Sequence, residues 1–99
     1  MMHRVNELLL ETIDEVINNV FEYETAEVIF QYFKKNSSKK IDDKIKLFIE
    51  TLPKILGVGS VIIEDLIIEN LYSKYNLKIE WKNGNKFMDY IIELQKKIK

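Results

Sequence analysis

Residues 57–75 read GVGSVIIEDLIIENLYSKY, and they indicate how the helices of this chain pack. From residue 60 onward its apolar residues cover two sides of a helical wheel. One arc contains Val61, Ile67, Ile68, Leu71, Tyr72 and Tyr75, and the other contains Ile62, Ile63 and Leu66. A helix that is apolar on two sides must be covered on both. We therefore predict that residues 60–75 form a largely buried fourth helix, against which the other helices pack.

The glycines that open this stretch raise the alternative of a phosphate loop or a nucleophile site. A dinucleotide-binding fingerprint requires a third glycine and a preceding strand, but Ile62 occupies that position and a helix precedes it. Ser60 also lacks the adjacent lysine of a phosphate loop and the second glycine of a nucleophile elbow. We instead expect Gly57 to adopt the left-handed conformation that ends the third helix, and Ser60 to cap the fourth. Glu64 and Asp65 would then lie near the positive end of its dipole.

The remaining apolar residues recur with a helical period over most of the chain. Three inward stripes precede the fourth helix: Val5, Leu9, Ile13, Val16, Ile17, Val20 and Phe21; Ala26, Ile29, Phe30 and Phe33, widened by Val28 and Tyr32; and Ile45, Phe48, Ile49, Leu52 and Ile55. We expect a break at residues 22–24 and a loop at residues 36–40. The third helix should begin at Asp42 or Asp43, and Pro53 should kink or restart it.

The segment after the fourth helix alternates between apolar and polar residues. Asn76 should end that helix, and residues 77–82 resemble a short strand followed by the turn pair Asn83–Gly84. A lone strand has no ladder to complete, so we predict an extended connector packed through Leu77, Ile79 and Trp81, with a strand as the open alternative. The fifth helix should begin at residue 85 or 86. Its inward stripe is Phe87, Ile91, Leu94 and Ile98. The prediction is an all-α, single five-helix domain over residues 1–99.

Composition limits the classes of protein to consider. The 99 residues are 46% hydrophobic and 31% charged, which is the balance of a folded globular domain. The absence of cysteine excludes disulfides and thiolate metal sites. No apolar run is long enough to cross a bilayer, and acidic residues interrupt the N-terminal apolar ones, so we expect a cytoplasmic protein without a membrane partner. The abundance of isoleucine and lysine, with a single alanine, suggests an A/T-rich genome, and the dense charges are compatible with a thermophile.

Part of the sequence resembles a known class of domain. The run LGVGSVIIEDLIIENLYSKYNL at residues 56–77, followed by a short connector and KFMDYIIEL at residues 86–94, resembles small all-helical output domains of archaeal signal-transduction proteins. The resemblance covers about the last half of the chain, mainly residues 55–94. It implies an interaction or regulatory role, and no catalytic residues are carried over with it.

The sequence offers little for catalysis. His3 is the only histidine and lies near a terminus, which gives little support to a catalytic triad or a histidine metal site. Most carboxylates recur on polar helix faces, and only Glu64 falls inside an apolar arc. Glu64 is therefore interpreted as a first-turn carboxylate, a buried ion-pair partner or a tuned acid, and its burial is left open. We expect no enzyme activity, cofactor, metal site or small-molecule substrate.

Nucleic-acid binding is the alternative function. A lysine-rich region spans residues 34–46, and the candidate contacts are Lys34, Lys35, Lys39, Lys40, Lys44 and Lys46. Three helices followed by an NG-turned wing also suggest a winged helix. However, the helix that would enter the groove offers only Lys74 as a cation, whereas readers of bases and phosphates need several polar or basic side chains.

The preferred function is a non-enzymatic protein-protein interaction or regulatory accessory module, with a protein partner or a second copy of the chain as its target. Met88 and Ile92 lie one turn apart in the fifth helix and away from its inward stripe. Leu47 similarly lies outside the stripe of the third helix. We predict that Leu47, Met88 and Ile92 contribute to the partner surface.

Overall fold

Helices account for most of the chain. The computed structural model describes the backbone of residues 2–36 and 41–98 and the side chains of residues 5–33 and 43–98. The helices are α1 (Met2–Val20), α2 (Tyr23–Asn36), α3 (Ile41–Leu56), α4 (Gly59–Lys74) and α5 (Phe87–Lys97). No strand occurs in the described ranges. The predicted single all-α domain of five helices is confirmed.

The helix α4 has the central position that its composition predicts. It packs against α1, α3 and α5, whereas α2 packs on α1 and α3. The buried residues of α4 are Ser60, Ile63, Ile67, Ile68, Leu71 and Tyr72. Fully burying one such aliphatic side chain contributes about 1.5–3 kcal/mol relative to exposing it. The predicted cover on two sides is wrong for Val61 and Ile62, which are exposed because no other described helix covers the first turn of α4 on that side.

The stripes of the other helices bury their central residues and expose residues at the ends. Val20 and Ile55 were expected inward but are exposed, because they lie in the last turns of α1 and α3, beyond the cover of neighbouring helices. Val28 and Tyr32 are exposed as well, since α2 packs on only two helices and buries a narrow stripe. The core residues of the first three helices are Val5, Leu9, Ile13, Val16, Ile17, Ala26, Ile29, Ile45, Phe48 and Leu52.

The turn between α3 and α4 confirms one expectation, corrects the one for Ser60 and excludes one of the two effects expected of Pro53. Gly57 has φ +60°, as predicted for the residue that ends α3, and its N–H donates to the Pro53 carbonyl at 2.8 Å. Pro53 does not restart the helix, because α3 continues through it to Leu56. Ser60 is not the N-cap of α4. The cap position is Val58, and the Ser60 N–H donates to the Gly57 carbonyl at 3.1 Å, so main-chain bonding lets α4 start before Ser60.

Other helix boundaries also shift by a residue or two. The helix α3 begins at Ile41 and not at Asp42 or Asp43, and α5 begins at Phe87. The first turn of α4 contains no acidic residue, so the dipole explanation of residues 64 and 65 is wrong. In α5 the Asp89 side chain fixes the start, since its Oδ2 accepts a 2.7 Å hydrogen bond from the Lys86 N–H.

The connector between α4 and α5 is extended and forms no strand, as predicted. Asn76 has φ 57° and ends α4. Tyr90 holds the connector, because its hydroxyl accepts from the Lys82 N–H at 3.0 Å and donates to the Lys82 carbonyl at 3.1 Å. Trp81 is half exposed and meets the Tyr90 ring edge-on at 5.3 Å, so it is less covered than expected. Tyr72 completes the arrangement by donating to the Tyr90 carbonyl at 2.7 Å.

Replacing Gly57 with alanine tests the turn. No atom lies within 4 Å of the added Cβ, so the cost is backbone strain at φ +60° without a steric clash. We expect Gly57→Ala to lower the free energy of unfolding by about 1 kcal/mol, measured by urea denaturation. Gly59→Ala is the matched control: its site is equally open and its φ is not positive, so it should leave stability unchanged or raised. Equal effects of the two substitutions would contradict this account of the turn.

Removing the Tyr72 hydroxyl tests the bond to α5. Tyr72→Phe should cost about 1 kcal/mol at neutral pH, because it removes a buried hydrogen bond. Burial raises the pKa of Tyr72 from 10.0 to about 12, with smaller contributions from Glu93 and Tyr90. The folded state then keeps a proton that the unfolded state loses, so wild-type stability should fall as pH rises from 10 towards 12. The free energy of unfolding of Tyr72→Phe, measured by urea titration, should fall less over that range. Tyr23→Phe, at an exposed site, should match the wild type.

Candidate partner-binding surface

The start of α4 presents a group of exposed apolar side chains. Val58 is 93% exposed, Ile62 65% and Val61 55%. Their spacing of three and four residues makes them neighbours on the helix surface. Asp65 and Glu69 are exposed and continue the same side of α4. We call these five residues the acidic-apolar face.

A groove lies beside the acidic-apolar face, between α3, α4 and the start of α5. Its volume is about 420 Å³. Val61 and Asp65 belong to both the face and the groove, and Glu64 lines the groove next to them. The buried side chains of Ile68 and Phe87 supply apolar lining, so the groove combines an apolar floor with two carboxylates.

Glu64 is the carboxylate whose burial the sequence left open. It is half-buried, and burial raises its pKa, with a smaller contribution from the adjacent Asp65 carboxylate. Neither carboxylate forms an ion pair with any side chain that the structure describes. The Lys86 side chain lines the same groove, and the ion pairs among the described side chains do not include one between Lys86 and either carboxylate. The ion-pair interpretation of Glu64 therefore has no support among the described side chains.

The three residues predicted for the partner surface do not share one location. Met88 is half-buried and lines the groove that contains Glu64. Ile92 lies one turn further along α5 and is 44% exposed. Leu47 is half-buried and lines a different groove of about 260 Å³ between α1, α2 and α3. The structure thus brings Met88 next to the acidic-apolar face and leaves Leu47 elsewhere, while their role in binding a partner stays a prediction.

The groove around Leu47 has a charged edge of its own. Asp14 and Lys44 both line it, together with Phe30 and Phe33. Burial raises the pKa of Asp14, and the Glu11 and Glu15 carboxylates add to the increase, while the Lys44 ammonium opposes it. Lys44 therefore acts locally as a counter-charge to α1.

The structure describes the side chains of only some of the lysines proposed for nucleic-acid binding. The side chains of Lys34 and Lys35, and the whole of Lys39 and Lys40, lie outside the described residues. Lys44 and Lys46 line two different grooves of α3. Lys74 turns back to α1, where its ammonium lies 3.0 Å from Glu15 Oε2 and donates to Thr12 Oγ1 at 2.9 Å. Nucleic-acid binding stays a prediction that these three positions do not favour.

Sequence reasoning missed the acidic-apolar face because it assigned Val61 and Ile62 to covered arcs. The sequence did contain an indication of this face, because α4 has more apolar residues than one neighbouring layer of helices can cover. Val58 carried a weaker signal, since it lies between two glycines in the turn. Which part of α4 stays exposed depends on where α3 and α5 end.

Comparisons with known proteins identify no relative. No family model, curated protein or solved structure matches this chain. Among the described residues, no helix is both long and apolar enough to cross a bilayer. The same residues contain no group of three or more side chains suited to holding a metal ion.

Neutralising Glu64 tests the electrostatics of the groove. Because its pKa is raised above 4.5 in the folded state, its contribution to stability is complete below pH 4.5 and is lost as pH rises through the folded pKa. Glu64→Gln should therefore abolish this loss, so that the variant gains stability relative to wild type between pH 4.5 and neutral pH. Thermal melts across that range provide the measurement. Glu69→Gln, on the exposed side of α4, is the control for removing one negative charge, and an identical pH profile for both variants would contradict the assignment.

Proposed function

We propose that this chain is a non-enzymatic interaction module that binds another protein through the acidic-apolar face. The observation that carries the proposal is the exposure of Val58, Val61 and Ile62 as neighbours at the start of α4. Burying apolar surface is favourable by about 25 cal/mol per Å². A partner that covers these side chains therefore lowers the free energy of the complex. Adjacent exposed apolar side chains rimmed by polar ones are typical of protein contact sites.

The adjoining groove supports the same proposal. It extends the apolar surface from Val61 towards Met88, whose unbranched side chain adapts to different partners. The resemblance of residues 55–94 to output domains of archaeal signalling proteins agrees with a regulatory role, because the face and most of the groove lie within that range. A regulatory or accessory module needs a specific surface and no chemistry of its own.

The rest of α4 explains why the face can change without loss of the fold. The residues that hold α4 in the core are Ile63, Ile67, Ile68, Leu71 and Tyr72, and they are buried. Val58 and Ile62 lie on the opposite, exposed side. Substitutions at these two positions should therefore act on binding and leave packing intact.

The test replaces Val58 and Ile62 together with lysine. The immobilised wild-type chain should capture a partner from an extract of the native organism, identified by mass spectrometry, and the double variant should lose it. The matched control is Tyr23→Lys with Val28→Lys on α2, which adds the same charge at two exposed apolar positions. Circular dichroism should show the same helix content and melting temperature within a few degrees for all three proteins. Equal capture by the wild type and the face variant would overturn the proposal.

A further inference from the structure

The charged side chains of α4 beside the acidic-apolar face have one sign, and Lys86, just before α5, is the one described cation that lines the adjoining groove. The helix α4 carries Glu64, Asp65 and Glu69, and its only cation is Lys74 in the last turn. The Lys74 ammonium is directed to Glu15 and Thr12 of α1, at 3.0 Å and 2.9 Å. The surface that α4 offers to a partner is therefore apolar and acidic, without a cation of its own.

Covering these carboxylates with a purely apolar partner would be energetically unfavourable. None of the three forms an ion pair within the part of the chain that the structure describes. A partner that covers Val61 and Met88 also removes water from Glu64, which lines the same groove. Taking an unpaired carboxylate out of water costs several kcal/mol unless a cation or hydrogen-bond donors replace the water.

A second copy of the chain does not supply that cation through the same face. A two-fold symmetric contact places each surface against its own duplicate. Such a contact through α4 would bring Glu64, Asp65 and Glu69 towards the same residues of the second copy, and like charges in a partly desolvated contact repel. The partner should instead differ from this surface in charge.

We propose that the acidic-apolar face and its groove bind a cationic amphipathic helix of another protein. This inference rests on the proposed function and names the chemistry of its partner. Aliphatic residues on one side of that helix would cover Val58 and Ile62, and an arginine or lysine would enter the groove between Glu64 and Asp65. Grooves between helices commonly bind an amphipathic helix through its apolar face. The guanidinium group of arginine matches a carboxylate with two parallel hydrogen bonds, which favours arginine in the groove.

Three synthetic peptides test the inference directly. The first is a four-turn helix with leucines on one side and arginines and lysines on the other. The second replaces every cation with glutamate, and the third keeps the composition of the first but scrambles the order so that the apolar side is lost. Fluorescence anisotropy at low and at high salt would measure the Kd of each peptide for the intact protein. We expect binding of the first peptide, weakened by salt, and at least tenfold weaker binding of the other two, which corresponds to about 1.4 kcal/mol.

Paired variants of the protein locate the contact. Glu64→Gln with Asp65→Asn should weaken binding of the cationic peptide by about tenfold, or about 1.4 kcal/mol. Glu22→Gln with Glu24→Gln removes two exposed carboxylates near the start of α2 and should leave the Kd unchanged. Both pairs change charge without changing side-chain size. Amide shifts in α4 and at the start of α5 on adding the peptide would identify the same surface by NMR.

The outcomes separate this inference from the proposed function. Equal weakening by both pairs of variants, or equal binding of the cationic and glutamate peptides, would overturn the cationic partner. If no cationic peptide binds but the Val58 and Ile62 substitutions still abolish capture of an identified partner, the interaction function stands and the partner chemistry is wrong. Self-association at low salt that Glu64→Gln with Asp65→Asn abolishes would assign the groove to the lysine-rich region of a second copy and overturn a separate partner.

Discussion

Burial of α4 against α1, α3 and α5 is the constraint on which the rest of the structure depends. The side chains of Ile67 and Leu71 have no solvent exposure, and α4 packs against α1, α3 and α5. Polar contacts then fix the orientation of α4 relative to its neighbours. Tyr72 donates to the Tyr90 carbonyl on α5, and Lys74 pairs with Glu15 on α1. Hydrophobic burial supplies most of the free energy, whereas these directional contacts select one arrangement.

The same constraint accounts for the surface at the other end of α4. Neighbouring helices bury Ser60 and the stripe from Ile63 to Tyr72, and they leave Val58, Val61 and Ile62 exposed. Gly57 turns the chain sharply between α3 and α4 and carries Val58 to the outside of the molecule. The acidic-apolar face is therefore a consequence of packing a helix that is apolar on two sides against neighbours that cover only part of it.

The electrostatics of this region add specificity to an otherwise general apolar surface. The half-buried Glu64 has a raised pKa because its surroundings are desolvated, so the groove already penalises a negative charge. A cation that enters the groove would relieve that penalty, and an anion would increase it. Electrostatic complementarity of this kind discriminates among partners more strongly than it raises affinity. The apolar side chains and the carboxylates thus have separate roles in the proposed contact.

The helices and turns of this protein could be predicted from its sequence, because helical periodicity, glycine conformation and turn chemistry are local properties. The stripe from Val5 to Ile17, the positive φ of Gly57 and the extended connector all followed from such patterns. Which apolar residues stay exposed depends instead on how the helices pack together. Val61 and Ile67 are equally apolar on the same helix, yet one is exposed and the other buried. The difference lies in where α1, α3 and α5 begin, end and cross α4, and no local pattern contains that information, because it depends on contacts between residues far apart in the chain.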